Sequence, residues 1–287
     1  MRQLLVLSGK GGTGKTTVAT AFIRLSEAKA FADCDVDAPN LHLLMRLSGE
    51  VTERDYFGMD KAIIDADICA RCGSCMDHCR FGAIKFDDGY TVDQFACEGC
   101  GVCIRVCAYE AVKLCPDKAG DLRLYTGDSV FSTAQLKMGR GTSGMLVTEV
   151  KRNLAANAKS APFAIIDGSP GIGCPVIASI SGVDLVMVVA EPSLSGISDM
   201  KRIIKTTSAF GVPIAVCINK YDTNLRHTES IEALCRDLGL ELVGRIPFDS
   251  EVVRLINEGQ SIVDHDCPSG KAVREVYERT MAIFNAL

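Results

Sequence analysis

The sequence lacks any apolar run long enough to cross a bilayer, which would take roughly 18–20 consecutive residues. It also lacks an excess of positive charge, since 31 lysine and arginine residues face 36 aspartate and glutamate residues and the formal net charge is −5. A negative balance argues against nucleic acid or an anionic membrane surface as the main binding partner. We therefore expect no nucleic-acid partner and no stable membrane binding.

A secretory signal sequence is also missing, because Leu4–Leu7 run directly into a glycine-rich loop. The 14 cysteines are therefore not read as the disulfide framework of a secreted protein. Eight of them lie at metal-cluster spacing, and thiolate ligation fits a reducing compartment. The sequence predicts a cytoplasmic protein, and its 47% hydrophobic content is ample for a sizeable core.

Short, nearly continuous aliphatic runs recur along the chain, each followed by a turn marked by glycine or proline. Such runs are typical of strands buried on both faces of a sheet. The predicted strands are Leu4–Leu7, Phe163–Ile166, Leu185–Ala190, Ile214–Ile218 and Leu242–Ile246. The predicted helices are Thr16–Ala28, Ser198–Phe210, Ile231–Leu238 and Lys271–Leu287. Strands that alternate with helices predict an α/β fold, with a mostly parallel sheet flanked by helices.

Two cysteine runs interrupt this alternation between about Met59 and Pro116. Both have the spacing C-x2-C-x2-C-x3-C and they repeat at a period of 28 residues: Cys69, Cys72, Cys75 and Cys79, then Cys97, Cys100, Cys103 and Cys107. Bacterial ferredoxins use this spacing for iron–sulfur clusters. Zinc is the competing interpretation, because C-x2-C pairs also form zinc sites.

The ferredoxin resemblance implies two [4Fe–4S] clusters whose ligands cross between the runs. One cluster is expected on Cys69, Cys72, Cys75 and Cys107, and the other on Cys97, Cys100, Cys103 and Cys79. We expect a small α+β ferredoxin domain over 59–116, inserted into a nucleotide domain formed by 1–58 and 117–287. The proline that usually follows each fourth cysteine is replaced by Arg80 and Ala108, and Arg80 would bring a positive charge near one cluster.

A phosphate-binding loop precedes the first predicted helix. Gly9–Thr16 fits G-x-x-x-x-G-K-[ST] between a strand and a helix, which is the context that gives this motif its meaning. Its glycines let backbone N–H groups converge on phosphate oxygens at the positive end of the helix. Lys15 is expected to reach the terminal phosphates and Thr16 to bind Mg²⁺. The predicted nucleotide-binding residues of this segment are Gly9, Gly11, Gly12, Thr13, Gly14, Lys15, Thr16 and Thr17.

A second lysine, Lys10, stands at the start of this loop. The arrangement Lys-Gly-Gly-x-Gly-Lys-Thr resembles the deviant phosphate loop of the MinD superfamily, which includes the nitrogenase iron protein, chromosome-partitioning ATPases and iron–sulfur carrier ATPases. In those relatives the early lysine reaches across a homodimer to the partner's nucleotide. The resemblance implies an ATPase that dimerises on binding ATP, with Lys10 and Lys15 in its catalytic machinery.

Aspartates occupy the two positions where this superfamily has its switches. Asp33–Asn40 resembles the first switch, and Asp35 aligns best with the aspartate that orients the attacking water and lies at Mg²⁺. Asp37 is the second choice, and one of the three aspartates in this segment would cap the turn. Asp167 ends a predicted strand before a glycine- and proline-rich turn, so we expect it to hold Mg²⁺ through water.

Two further segments are placed beside the base of the nucleotide. Asn219 and Lys220 follow a predicted strand and begin the string Asn-Lys-Tyr-Asp, which also fits the Asn-Lys-x-Asp of GTPases, so this spacing leaves GTP open. Pro247 and Phe248 lie in a segment that resembles the superfamily's adenine-side loop. Together with the MinD-like phosphate loop, that segment favours ATP.

The combined pattern predicts an ATPase that couples nucleotide-driven dimer switching to electron transfer or metallocluster assembly on an unidentified partner protein. A scaffold or carrier that releases a cluster under ATP control is the alternative, and a positioning ATPase of the MinD or partitioning type ranks below both. Cys174 follows the second switch, where two copies would approach each other in a dimer. We favour plain packing for Cys174 and for the remaining cysteines outside the two runs.

Overall fold

The computed structural model describes residues 1–45 and 47–287, which divide into two compact units. The first unit comprises Met1–Glu53, Leu122–Gln135 and Gly144–Leu287. The second comprises Arg54–Asp121 and Leu136–Ser143, and the insert predicted over 59–116 falls within it.

Strands and helices alternate through most of the described chain. The strands are β1 (Arg2–Leu7), β2 (Ala30–Asp33), β3 (Glu50–Phe57), β4 (Lys61–Ile64), β5 (Ile84–Phe86), β6 (Tyr90–Val92), β7 (Val112–Cys115), β8 (Lys118–Thr126), β9 (Val130–Leu136), β10 (Phe163–Asp167), β11 (Leu185–Ala190), β12 (Ile214–Asn219) and β13 (Glu241–Ile246). The α-helices are α1 (Lys15–Ser26), α2 (Leu41–Leu44), α3 (Ser74–Asp77), α4 (Val102–Arg105), α5 (Ser143–Asn157), α6 (Cys174–Ile180), α7 (Leu194–Ser208), α8 (Leu225–Asp237), α9 (Ser250–Asn257) and α10 (Pro268–Ala286). Short 3₁₀ turns cover Tyr221–Thr223 and Ile262–Asp264.

The main sheet has the strand order β13-β12-β11-β1-β10-β2-β9-β8-β3. Each pairing from β13 through to β9 is parallel, so the predicted α/β fold with a mostly parallel, helix-flanked sheet is confirmed. All five predicted strands are present. The strands β2, β3, β8 and β9 and the helix α5 were not predicted.

Burial on both faces explains why the central strands consist of continuous aliphatic residues. Leu4 and Val6 pack with α1 and α10 residues in one core, while Leu5 and Leu7, which point to the opposite face, are also fully buried. A strand covered on both sides has no position at which a polar side chain is favoured. This is why a run such as Leu4–Leu7 is readable from the sequence.

The helix ends differ from prediction where a capping residue lies outside the apolar pattern. α7 and α8 begin four and six residues earlier than predicted, after Ser193 and Asn224, whose side chains accept hydrogen bonds from the N–H groups of Gly196 and His227. Polar caps of this kind satisfy N–H groups that a helix leaves unpaired. The first turns they open carry few buried side chains, so the apolar pattern begins after the helix does.

Strand register brings the nucleotide-site aspartates together at one edge of the sheet. Asp167 lies opposite Val6 of β1 and opposite Asp33 of β2. Because these strands are parallel, their carboxyl ends meet at the same edge, where ligands bind in open α/β sheets. The loops that follow β1, β2 and β10 therefore converge there.

The second unit has an internal repeat that matches the period in the sequence. β4 pairs antiparallel with β7, and β5 pairs antiparallel with β6. The helix α3 spans Ser74–Asp77 and α4 spans Val102–Arg105, which is the same position 28 residues later. Each follows a glycine in the left-handed conformation, with φ of 85° at Gly73 and 74° at Gly101. The unit therefore consists of two similar halves.

Candidate functional site

The loop between β1 and α1 has a backbone conformation that presents N–H groups to an anion. Gly12 and Gly14 have φ values of 79° and 90°, which glycine adopts without strain. A side chain at position 14 would also overlap the amide of Asn219. Helix α1 begins at Lys15, so its positive end faces the loop.

A cavity of about 1170 Å³ adjoins this loop within the first unit. Asp35 and Asp37 line it. The predicted nucleotide-binding residues that line it are Lys10, Gly11, Gly12, Thr13, Gly14, Lys15, Thr16, Thr17, Asn219, Lys220, Pro247 and Phe248. Gly9 lies instead against Asp199, where an added Cβ would overlap the aspartate side chain. The structure thus brings together nearly all of the residues predicted for the nucleotide.

Lys15, Thr16 and Asp167 form a buried cluster at the base of the loop. Lys15 Nζ lies 2.5 Å from one carboxylate oxygen of Asp167, and Thr16 Oγ1 donates to the other at 2.7 Å. Burial works against the charged form of Lys15, but attraction by the Asp167 carboxylate outweighs it and leaves the pKa of Lys15 raised. The cluster is therefore an ion pair in which the phosphate-binding lysine is held beside the carboxylate expected at Mg²⁺.

Asp33 is the aspartate of the first switch segment that organises the backbone. It is fully buried, and its carboxylate accepts hydrogen bonds from the N–H groups of Asp35, Asn40 and Leu41 at 2.9–3.0 Å. Burial, followed by repulsion from Asp167, raises the pKa of Asp33 to about 7. Asp33 thus shapes the turn, which leaves Asp35 and Asp37 facing the cavity. Burial likewise raises the pKa of Asp35.

The raised pKa of Asp33 predicts a pH-dependent stability of the nucleotide-free protein. Between its ordinary pKa of 3.8 and about 7, the folded chain keeps a proton that the unfolded chain releases. The free energy of unfolding should therefore fall as pH rises through this window, by up to about 1.4 kcal/mol per pH unit, and level off above it. Urea unfolding at pH values on both sides of 7 measures this slope.

The matched control compares two asparagine substitutions in the same segment. Asp33→Asn should flatten the slope, because the buried titrating group is gone. Asp37→Asn should leave it unchanged, because Asp37 is exposed. Equal slopes in the native chain and in Asp33→Asn would contradict the assignment.

The two switch segments are joined by hydrogen bonds that the sequence did not reveal. Cys34 N–H donates to the Asp167 carbonyl at 2.7 Å, and Ser169 Oγ donates to the Cys34 carbonyl. Gly171 N–H donates to the Ser8 carbonyl at 3.1 Å, at the start of the glycine loop. These contacts join residues more than a hundred positions apart, so no local pattern could have predicted them.

Lys151 of α5 is a further residue that the sequence analysis missed. Its ammonium donates to the carbonyls of Ser179 and Ser181, at 2.8 Å and 2.6 Å, where α6 ends. The helix α6 follows the second switch, so Lys151 satisfies carbonyl groups that this helix leaves unpaired. Burial lowers the pKa of Lys151.

Asn219 and Lys220 hold the glycine loop from the far side. Asn219 Nδ2 donates to the Thr13 carbonyl at 2.7 Å, and Lys220 Nζ donates to the Gly12 carbonyl at 2.9 Å. Asp222, the last residue of the Asn-Lys-x-Asp string, accepts from Phe248 N–H at 2.7 Å. The carboxylate that would read guanine in a GTPase-like site is thus bonded to the loop that carries Pro247 and Phe248.

Lys10 is held by its own chain in this structure. Its ammonium lies 3.2 Å from the hydroxyls of Ser193 and Ser195 and 3.5 Å from the Glu191 carboxylate. These residues stand between β11 and α7, outside the phosphate-binding loop. Lys10 also lines the nucleotide cavity, so its side chain lies within the site it was predicted to serve.

Two small cavities in the second unit collect the eight cysteines of the two runs. One is lined by Cys69, Cys72, Cys75 and Cys107. The other is lined by Cys79, Cys97, Cys100 and Cys103. The fourth cysteine of each run therefore faces the cavity of the opposite run. In the described part of the chain, no group of three or more His, Cys, Asp and Glu side chains is positioned to hold a single metal ion.

The remaining cysteines differ in exposure. Cys34, Cys217, Cys235 and Cys267 are buried, which agrees with the predicted packing role. Cys115 is half-buried. Cys174 is exposed at the start of α6, so the packing interpretation that the sequence favoured for it is wrong.

A family model described as "CobQ/CobB/MinD/ParA nucleotide binding domain" matches residues 4–262. The matched region includes the glycine loop, both switch segments and the residues that hold the loop from the far side. The chain belongs to this family.

Relatives of this CobQ/CobB/MinD/ParA family member extend over nearly its whole length. The "Uncharacterized protein MJ0578" of Methanocaldococcus jannaschii is 33% identical over 287 residues, covering 96% of this chain and 95% of that protein. The "Iron-sulfur cluster carrier protein" of Pyrococcus abyssi is 25% identical over 301 residues, covering 96% and 84%. The septum site-determining protein MinD of Pyrococcus horikoshii, solved with Mg-ADP, superposes with a TM-score of 0.60 at 18% identity, covering 99% and 98%. At that identity the superposition shows the fold alone.

Family membership confirms the superfamily inferred from the Lys-Gly-Gly-x-Gly-Lys-Thr arrangement. The protein is a nucleotide-binding P-loop ATPase of the MinD/ParA type, and the large cavity holds the family's phosphate-binding loop. Among the described residues, no helix is both long and apolar enough to traverse a membrane.

Proposed function

We propose that this protein is a two-cluster iron–sulfur ATPase. It couples nucleotide-driven dimer switching to electron transfer, or to metallocluster assembly, on a partner protein. The observation that carries the proposal is the pair of four-cysteine cavities in a chain that also has a complete phosphate-binding site.

The cysteine cavities fit [4Fe–4S] clusters in donor chemistry and in arrangement. Each offers four thiols and no competing hard ligand among its lining residues in the described chain. Thiolates select iron–sulfur clusters, and a four-iron cluster is a wider group than a single zinc ion. The crossing of Cys79 and Cys107 between the cavities matches the ferredoxin ligand pattern. In cavity order, the ligands would be Cys69, Cys72, Cys75 and Cys107, then Cys97, Cys100, Cys103 and Cys79.

The ferredoxin interpretation is further supported by the two similar halves of the second unit. Bound clusters would supply one-electron transfer. The protein would contribute the thiolate ligands and the hydrogen bond that the Ala62 N–H donates to Cys97 Sγ at 3.5 Å. We keep 59–116 as the proposed inserted domain.

The nucleotide site supports ATP hydrolysis by positioning and electrostatics. Lys15 would bind the terminal phosphates once it leaves Asp167. Thr16 and Asp167 would then serve Mg²⁺, with Asp167 acting through water. Asp35, which faces the cavity, would orient the attacking water near Mg²⁺.

The proposed dimer rests on Lys10 and on the resemblance to MinD-type ATPases. Lys10 would leave Ser193 and Ser195 and reach the nucleotide of a second copy of the chain.

ATP is supported over GTP by the contacts of Asp222. Its carboxylate accepts from Phe248 N–H, so it is not free to accept the donors on a guanine edge. Rejection of a ligand is strong when a polar group that would bind it is already paired elsewhere.

The proposal is tested on the full chain purified under anaerobic conditions. We expect about eight irons and eight acid-labile sulfides per chain. We also expect spectra of reducible [4Fe–4S] clusters and Mg²⁺-dependent hydrolysis of ATP in preference to GTP. A chain that binds zinc and no sulfide, or that hydrolyses only GTP, would overturn it.

A scaffold or carrier that releases a cluster under ATP control is the second candidate. It is favoured by the 25% identity to the protein of Pyrococcus abyssi that bears the name "Iron-sulfur cluster carrier protein". Transfer of iron and sulfide to an apo-acceptor, with no redox change at the donor, would support it. Positioning on a membrane ranks lower, because α10 buries Val273, Val276 and Phe284 in its own core.

A further inference from the structure

A buried lysine lies beside one of the two cysteine cavities. Lys61 begins β4, and only 8% of its surface is exposed. Its ammonium donates to the backbone carbonyl of Cys97, a residue that lines the cavity of Cys79, Cys100 and Cys103. The next residue, Ala62, directs its N–H at Cys97 Sγ.

The surroundings of Lys61 supply no carboxylate partner in the described part of the chain. Arg140 also approaches this side through the Gln94 carbonyl, but its charge is paired with Asp117 at 2.9 Å. Glu98 lines the same cavity and is exposed. A buried ammonium is costly unless an anion compensates it, and a carbonyl dipole compensates it only in part. A four-thiolate iron–sulfur cluster is an anion, and it would supply the missing negative charge.

The other cavity lacks this feature because the repeat is imperfect at one position. At the period of 28 residues, the counterpart of Lys61 is Gly89, which has no side chain. The cavity of Cys69, Cys72, Cys75 and Cys107 is lined instead by uncharged groups such as Tyr90. The two halves are similar in backbone but differ by one buried positive charge.

The geometry points to Lys61 as the residue that makes the two clusters unequal. Lys61 raises the reduction potential of the cluster on Cys79, Cys97, Cys100 and Cys103 above that of the other, so a single electron from an external one-electron donor settles there. The physical reason is that reduction adds negative charge, and a nearby cation in a poorly solvated environment favours the more negative state. This inference rests on the proposed function, because it requires both clusters.

Arg80 provides a matched comparison for the effect of burial. It follows Cys79 directly, so it adds a positive charge beside the same cavity, but it is exposed. Water screens exposed charges far more than buried ones. The cation expected from the sequence to raise the potential, Arg80, should therefore have the smaller influence.

The test is an EPR-monitored redox titration of the anaerobic full chain and its variants. In Lys61→Met, which keeps most of the side-chain length, one cluster should become harder to reduce. Its reduced-to-oxidised ratio at a fixed potential should fall on the order of tenfold, which is about 59 mV for a one-electron couple. The second cluster should keep its potential. Lys61→Arg should stay close to the native chain, and Arg80→Met should shift the same cluster by much less.

Single-cluster chains assign the potentials without relying on Lys61 variants. Cys75→Ala should leave the cluster beside Lys61, and Cys103→Ala should leave the other. We expect the higher potential in Cys75→Ala. Equal potentials in these two chains, or equal shifts of both clusters in Lys61→Met, would overturn the inference while the clusters themselves are present. A chain that carries no clusters would instead contradict the proposed function.

Discussion

Asp35→Asn should lower kcat for ATP hydrolysis by about 10²- to 10⁴-fold while ATP still binds. Asp35 is the half-buried carboxylate of the first switch that faces the nucleotide cavity. Asparagine has nearly the same shape but cannot accept a proton or hold a water with two charged oxygens, so the loss falls on the chemical step. Steady-state hydrolysis and nucleotide binding, measured on the same preparations, separate kcat from affinity.

Asp37→Asn is the matched control for this substitution. Asp37 lines the same cavity two residues further on and is exposed, so its removal should change kcat by only a few fold. If Asp37→Asn lost more activity than Asp35→Asn, the roles assigned to the two carboxylates would be reversed.

Removing single cysteines should reveal that each cluster takes its fourth ligand from the other run. Cys75→Ala should lose about half of the iron, because its cavity then has only three thiols. Adding Cys107→Ala to that chain should cause no further loss, since Cys107 faces the cavity already emptied of its cluster. Adding Cys79→Ala instead should remove most of the remaining iron, since Cys79 faces the other cavity.

The order along the chain makes this a decisive comparison. Cys79 is four residues from Cys75, whereas Cys107 lies in the second run. Pairing within each run would reverse the two results. Cys235→Ala removes a buried cysteine outside both cavities and should leave the iron content unchanged.

The parts of this protein that the sequence predicted have a local pattern. The glycine loop needs left-handed backbone at Gly12 and Gly14, and its motif specifies both positions. The central strands are buried on two faces, so their aliphatic runs stand out. The two halves of the second unit follow a cysteine period that is printed in the chain.

The parts that the sequence did not predict depend on contacts between distant residues. Leu136–Ser143 belongs to the second unit, where Arg140 pairs with Asp117 and donates to the Gln94 carbonyl, but no spacing announces that ion pair. Three aspartates follow β2 at short intervals, and only burial separates Asp33, which holds the backbone, from Asp35.

Burial explains the remaining cases too. Lys61 resembles any surface lysine at the start of a strand until its environment is known. Cys174 shows the reverse, because it was expected to pack and is exposed. Side-chain accessibility is a property of the folded chain as a whole, and it decided the residues that the sequence analysis missed.

The central claim is that one chain couples a nucleotide switch to its iron–sulfur clusters. The most direct test measures the ATPase rate of the anaerobic full chain with its clusters first oxidised and then reduced by dithionite, and follows both clusters by EPR as Mg-ATP is added. We expect the hydrolysis rate to change with the redox state, and the spectrum of at least one cluster to change on binding ATP. A rate and spectra that are each indifferent to the other site would contradict coupling, even if ATP hydrolysis and both clusters were present.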